Sequence, residues 1–191
     1  MEVAQKVDIN QEDIELLKEK VNKIHDFPQK GILFYDIFSI LKDVQLTQKL
    51  FDLSEAMIKN FLAESCEIVT AIVGLESRGF LIGLVLADRL RLPFIPIRKR
   101  NKLPGNIFKV NYVTEYSQDQ MELQADSLDA NSKVLIVDDL LATGGSMRAA
   151  EDLINMTNSQ VVGYFVVFEI ECINGKQKLG KKDNLITMIK I

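Results

Sequence analysis

The chain reads as an α/β protein, with a doubly wound, mainly parallel central sheet flanked by helices. Three observations predict this. Residues 68–73, 134–137 and 161–168 are continuous apolar runs rich in Val and Ile, as expected of strands buried on both faces. Helical patterns stand between such runs, at 79–90 and 147–156, and strands alternating with helices imply parallel crossovers. Polar clusters follow the strand runs, and a parallel sheet binds its ligands at the carboxyl ends of its strands.

In chain order, Asn10 can cap a helix with Asp13 in its first turn. Ile14, Leu17, Val21 and Ile24 then recur at three- and four-residue steps, so the spacing predicts one amphipathic helix ending before Phe27-Pro28. Residues 31–40 are an irregular apolar stretch around Asp36. Residues 46–62 form a second helix, with Leu46, Leu50, Leu53, Met57 and Phe61 on one face. A strand at 68–73, a strongly apolar helix at 79–90 and a short strand at 94–97 follow. Residues 99–105 form a basic loop with Pro and Gly. Mixed alternation over 112–123 suggests a hairpin or flap. Strands at 134–137 and 161–168 flank the helix at 147–156, and 185–189 is a last short strand. No repeat or linker interrupts the chain, so 1–191 reads as a single domain. About 1–45 form a small N-terminal hood on a core of about 46–191.

Composition narrows the function. At 191 residues and 47% apolar, the chain can bury a sizeable core, and a net charge of −4 argues against a general nucleic-acid binder. Cys66 and Cys172 are far apart and form no C-x-x-C, which argues against a disulfide framework or zinc site and for a reducing compartment. The polar start has no signal-peptide core, and no apolar run reaches the ~18 residues of a membrane span. The expectation is a soluble, cytoplasmic protein. The one histidine, His25, reads as structural or exposed, and without partners it cannot head a catalytic triad.

The chemistry concentrates in residues 134–146. A buried strand ends on Asp138 and Asp139, a Thr143-Gly144-Gly145-Ser146 turn follows, and then a helix begins. Turn amides and a helix N-terminus favour a phosphate. Two carboxylates can accept hydrogen bonds from vicinal hydroxyls. Together they suit a ribose 5-phosphate. Neither a Walker loop nor a dinucleotide fingerprint is present. Arg98, Lys99, Arg100 and Lys102 place four cations within five residues at a strand end. In an acidic chain such a patch suggests a small polyanion. Arg78, after Gly74-Leu75-Glu76-Ser77, adds a forked donor for phosphate oxygens. Phe34 offers an aromatic face for stacking.

These segments together resemble the type I phosphoribosyltransferases, over about residues 10–191. The residues 138–146 are similar to the family's phosphoribosyl-pyrophosphate motif, and Leu140-Leu141-Ala142-Thr143-Gly144-Gly145 matches the wording of its adenine-specific branch. Residues 27–37, 74–80 and 97–105 agree with that branch in order, and 112–116 resembles its mobile catalytic loop. The resemblance implies that adenine and 5-phosphoribosyl 1-pyrophosphate are converted to AMP and pyrophosphate, in purine salvage and with Mg²⁺, by a homodimer. The metal would be carried by the pyrophosphate substrate rather than held directly by the protein. It implies Asp138, Asp139, Ala142, Thr143, Gly144, Gly145 and Ser146 for the ribose 5-phosphate, and Arg78, Lys99 and Lys102 for the pyrophosphate. Phe34 would stack on the base, while backbone groups at Leu33 and Tyr35 read its edge. Tyr112, Glu115 and Tyr116 would belong to a flexible flap, with Glu115 acting near the purine N7. Glu115, Arg78, Asp138 and Asp139 would be the catalytic set.

Three residues depart from the family's usual wording. Tyr35 stands for Arg, Glu76 for Asp, and Asn101 for Gly, the last a residue that tolerates positive φ. Two other readings stay open at this point. One is a transferase for another base. The other is a weak or inactive paralogue that binds nucleotide or a partner.

Overall fold

The computed structural model describes residues 6–113 and 118–191. Helix α1 (Gln11–Lys20) starts at the expected cap, where the Asn10 side chain accepts a hydrogen bond from the Glu12 N–H at 3.0 Å. It ends a turn early. Val21 is extended, and β1 (Asn22–His25) pairs antiparallel with β2 (Leu33–Asp36) in a two-stranded hood. The predicted helix over Ile24 and the irregular stretch around Asp36 are both corrected. Cross-strand pairing overrides the helical spacing, and Ile24 is left exposed. A short α2 (Phe38–Leu41) leads to α3 (Val44–Ser65), capped by Asp43, whose Oδ1 accepts from the Gln45 and Leu46 N–H groups. His25 is exposed, as expected, and so are the free Cys66 and Cys172.

The elements then alternate as the sequence predicts. They are β3 (Ala71–Leu75), α4 (Arg78–Leu90), β4 (Phe94–Lys99), β5 (Ile107–Val113), β6 (Gln118–Gln124), β7 (Lys133–Leu141), α5 (Gly145–Asn155), β8 (Gln160–Glu169) and β9 (Leu185–Lys190). Short 3₁₀ turns lie between β8 and β9. The sheet order is β5-β6-β4-β3-β7-β8-β9. Strands β4 to β9 along this order are parallel, and the β5–β6 hairpin adds antiparallel at the β4 edge.

The central strands are apolar throughout because both their faces are covered. Leu135 and Val137 of β7 join the core under α1, α3 and α4, while Val134 and Ile136 join the core under α5. Ile68, inside the strand predicted over 68–73, falls outside the observed β3 and is exposed, since the β7 register begins at Ala71.

Candidate active site

β4, β3 and β7 are parallel neighbours, so their carboxyl ends open on one rim, and the three polar clusters meet there. One detail differs from the sequence reading. β8 stays paired with β7 as far as Leu141↔Glu169, so Asp138 and Asp139 are strand residues rather than the start of a loop. Arg98 and Lys99 likewise close β4. In β7 the apolar pattern resumes after the acidic pair, at Leu140 and the buried Leu141, so the two aspartates interrupt the strand without ending it.

The acidic pair is set by α4. At Gly79, an added Cβ would stand 2.8 Å from the Val137 carbonyl oxygen and 2.9 Å from Asp138 Oδ1. Glycine thus lets the first turn of α4 close on β7, and it carries Arg78 to the carboxylates. Arg78 Nε lies 3.0 Å from Asp139 Oδ2, and Asp139 is 3% exposed. This is an ion pair without hydrogen-bond alignment. Arg78 Nη1 and Asp139 Oδ2 are both buried without a hydrogen-bond partner among the described residues. Leaving a buried polar atom unpaired costs about 1–3 kcal/mol. Arg78 therefore keeps a donor free for a phosphate or hydroxyl oxygen.

Desolvation, with the Asp139 charge adding to it, pushes the Asp138 carboxyl well above the ordinary range. Burial also raises Asp139, and Arg78 works against that rise. The pair holds a shared proton more tightly than a lone carboxylate would. Asp138 Oδ1 also accepts the Asp139 N–H at 2.9 Å.

Beyond the pair, Gly144 has φ +76 and precedes α5, whose N-terminus has no side-chain cap. An uncapped helix start leaves its first amides available to an anion. A feature not legible in the sequence backs this turn. Gly175, in a 3₁₀ turn after β8, lies backbone to backbone with it. A Cβ on Gly175 would strike the Ala142 carbonyl oxygen and stand 2.7 Å from Gly144 N, and a Cβ on Gly144 would strike the Gly175 carbonyl oxygen. Gly175 lacks a positive φ, so only this tertiary contact explains it.

The hood reaches the same place. The Arg78 guanidinium carbon sits 4.9 Å from the Phe34 ring centroid, and Phe27 meets Phe34 edge-on at 5.0 Å. Tyr35 turns the other way, onto Phe168 of β8 at 6.0 Å, with Lys23 Nζ 5.9 Å from its ring centroid. Leu33 and Tyr35 alternate with Phe34, so their backbone groups share one edge of β2.

The cations of the basic loop are not free-standing. Arg98 Nε donates to Glu76 Oε2 at 3.2 Å, the Lys99 N–H donates to the same oxygen at 3.0 Å, and Lys102 Nζ lies 3.5 Å from Oε1. Burial pushes the Glu76 carboxyl up, but the Lys99 N–H, Arg98 and Lys102 more than offset it, and the net shift is downward. Lys99 Nζ lies 3.7 Å from Asp119 of β6. Asn101 has φ +61, as its substitution for Gly predicts.

Tyr112 is buried at the end of β5, with its hydroxyl 3.3 Å from Asp119 Oδ2. Desolvation, then the Asp119 charge, pushes its phenol up to about 12. Glu115 and Tyr116 lie outside the described residues. Among the described residues, no three His, Cys, Asp or Glu side chains group as a metal cage.

Comparison with known proteins agrees with this geometry. The phosphoribosyl transferase domain model matches residues 42–191. The adenine phosphoribosyltransferase of Natranaerobius thermophilus is 40% identical over 164 residues, covering 86% of this chain and 92% of its own. That of Drosophila pseudoobscura pseudoobscura is 41% identical over 172 residues, covering 90% and 93%. Among solved structures, Saccharomyces cerevisiae adenine phosphoribosyltransferase superposes with a TM-score of 0.86 at 38% identity, covering 94% of this chain and 100% of that one. That structure holds D-2,5-dideoxy-2,5-imino-altritol 1,6-bisphosphate and adenine.

Proposed function

We infer from its place in the phosphoribosyltransferase family, to which this chain belongs, that it converts adenine and 5-phosphoribosyl 1-pyrophosphate to AMP and pyrophosphate, a purine-salvage reaction. One observation carries the reading onto this chain's own residues. Arg78 touches both Phe34 of the hood and Asp139 of β7, and so links a flat apolar face to the acidic pair beside an anion-binding turn.

In this reading the α5 amides and residues 142–146 hold the 5-phosphate. Asp138 and Asp139 accept the ribose hydroxyls and offer negative charge to the anomeric carbon as it becomes cationic. Arg78, Lys99 and Lys102 receive the pyrophosphate. Adenine lies against Phe34. Its N9 bonds to the anomeric carbon as the bond from that carbon to the pyrophosphate oxygen breaks. Glu115, on the flap, handles the proton at N7. Tyr112, assigned to the flap by resemblance, is a buried β5 residue at its base, so closure over the site would fall to Tyr116 and Glu115, keeping water from the reacting carbon.

Mg²⁺ fits these residues as a companion of the substrate. Hard diphosphate oxygens suit it, and the acidic pair, with Asp139 buried and Asp138 half-buried, gains from a nearby cation. When bound, it neutralises charge on the leaving group.

The base is chosen by main-chain groups on the shared edge at Leu33 and Tyr35. A backbone acceptor meets the 6-amino group of adenine but opposes a 6-oxo group, and a backbone N–H meets adenine N1. Two such mismatches reject hypoxanthine and guanine by roughly 10² to 10⁴. Tyr35 packs its side chain on Phe168, away from Phe34, which leaves this backbone readout open to adenine.

Hood and core act as one domain, 1–191. Leu81 and Leu84 expose an apolar face of α4, the helix that begins at Arg78, and support a homodimer built across it. No helix among the described residues is long and apolar enough to cross a membrane. The acidic net charge speaks against nucleic acid as a partner. Two free, exposed cysteines suit the reducing cytoplasm.

The test is a coupled assay for nucleoside monophosphate from each base, with 5-phosphoribosyl 1-pyrophosphate and Mg²⁺. Adenine should turn over and hypoxanthine and guanine should not compete. Protein that binds AMP but makes none from adenine would overturn the reading.

A further inference from the structure

Glu122 takes no part in the chemistry above, yet it is a carboxylate with no solvent exposure. It lies mid-way along β6, between β4 and β5. The register sets it opposite Arg98 on one side and Lys109 on the other. The backbone N–H groups of Asn101, Lys102 and Leu103 converge on it. Lys102 makes the aligned hydrogen bond, 3.3 Å to Oε2, and Lys109 Nζ lies 3.6 Å from Oε1. A buried charge is tolerated where it is paired and hydrogen-bonded; here the basic-loop backbone serves Oε2, while Oε1 has no hydrogen bond among the described residues and faces the Lys109 ammonium.

The rest of β6 acts on the same loop. Asp119 approaches Lys99 Nζ, and the Gln120 carbonyl oxygen accepts the Arg100 N–H at 3.1 Å. Three contacts from one strand thus fix Lys99, Arg100 and Lys102 in sequence. A lysine on a flexible stem is a poor anion receptor until its backbone is fixed, because ordering it on binding costs entropy.

We propose that Glu122 is a positioning residue for the leaving group, holding residues 101–103 so that Lys99 and Lys102 are preset for pyrophosphate. The inference rests on the reading that these lysines receive pyrophosphate. It also makes the flap hairpin, through β6, the frame on which the leaving-group site is built.

The test measures inhibition by Mg²⁺–pyrophosphate, AMP binding and melting temperature. It uses the full chain, Glu122→Gln, Glu122→Ala, Lys99→Ala and Lys102→Ala. Glu122→Ala should weaken pyrophosphate by about tenfold, the scale of loss when a site is displaced from a distance, while AMP binding stays within about twofold. Glu122→Gln keeps the shape and one acceptor but loses the charge, so it should show a smaller loss with the same selectivity. If Glu122→Ala does not fold, the selectivity of Glu122→Gln decides. Equal loss of AMP and pyrophosphate, or no loss of either, overturns the proposal. If neither lysine variant weakens pyrophosphate, the assignment of the lysines falls instead. If they do and the Glu122 variants do not, only the role of Glu122 falls.

Discussion

On the proposed reading, the groups that face a ligand at the β7–α5 turn are main-chain amides, whereas at the β4 loop they are lysine side chains. The first region is set by backbone contact, with Gly144 against Gly175 and no room for a Cβ on either. The second is set by charge, with Glu76, Asp119 and Glu122 holding Lys99 and Lys102 from two sides. Amides of a helix start cannot move without unmaking the helix, so that receptor is rigid by construction. Ammonium groups on long stems need carboxylates to place them, and with the Lys99 and Lys102 side chains half exposed their pairs are weak enough to exchange for a stronger anion. Between the two stands the acidic pair, reached by Arg78 from α4.

The largest effect is expected from removing what both regions serve. Asp138→Asn/Asp139→Asn should lower kcat by about 10²–10³, the usual loss when transition-state electrostatics are deleted. The coupled assay measures it, and an unaltered kcat in the double variant would defeat the assignment of the pair.

A sharper probe of the comparison is Gly175→Ala. It introduces no φ strain and acts only by pressing on the phosphate turn. AMP binding should weaken by about tenfold or more, as expected when a receptor is displaced from behind, and inhibition by pyrophosphate should hold. Calorimetric titration with each ligand separates them. Equal weakening of both would mean that the two regions are not independent.

The smallest effect concerns stability and pH. Desolvation raises the folded-state pKa of Asp138 above its unfolded value, so between those two values the native state binds a proton that the unfolded chain has released. Stability must then fall as pH rises through that window, from about 4 to the raised folded value, and level off above it. Asp138→Asn removes the titration. The unliganded variant should melt above the parent at neutral pH, by about 2–4 °C per kcal/mol recovered, and the gap should close toward pH ~4. Thermal melts across pH would show it, and a variant that melts lower at neutral pH would contradict the buried-charge account.

The sequence by itself determined the α/β class, the alternation from β3 onward, the Asn10 cap and the Gly144-Gly145 turn before α5. Each depends on residues close together in the chain, through periodicity, capping or turn chemistry, and such signals survive without a neighbour to complete them. It also determined that Asn101 could take the place of Gly, since φ preference is a property of the residue itself. Tertiary structure decided what depends on partners distant in sequence. Pairing with β2 turned the end of a predicted helix into β1, and pairing with β8 drew Asp138 and Asp139 into the strand. Only the packed fold shows why Gly79 and Gly175 must be glycines, and which groups meet the buried Glu122 carboxylate. In each case the reason is an atom brought near by another element: the Val137 carbonyl oxygen, the Ala142 carbonyl oxygen, and the amides of the basic loop. Local pattern marks which residues can meet a ligand. The close approach of backbones and the satisfaction of buried charge, which the chain acquires only on folding, decide how firmly they are held.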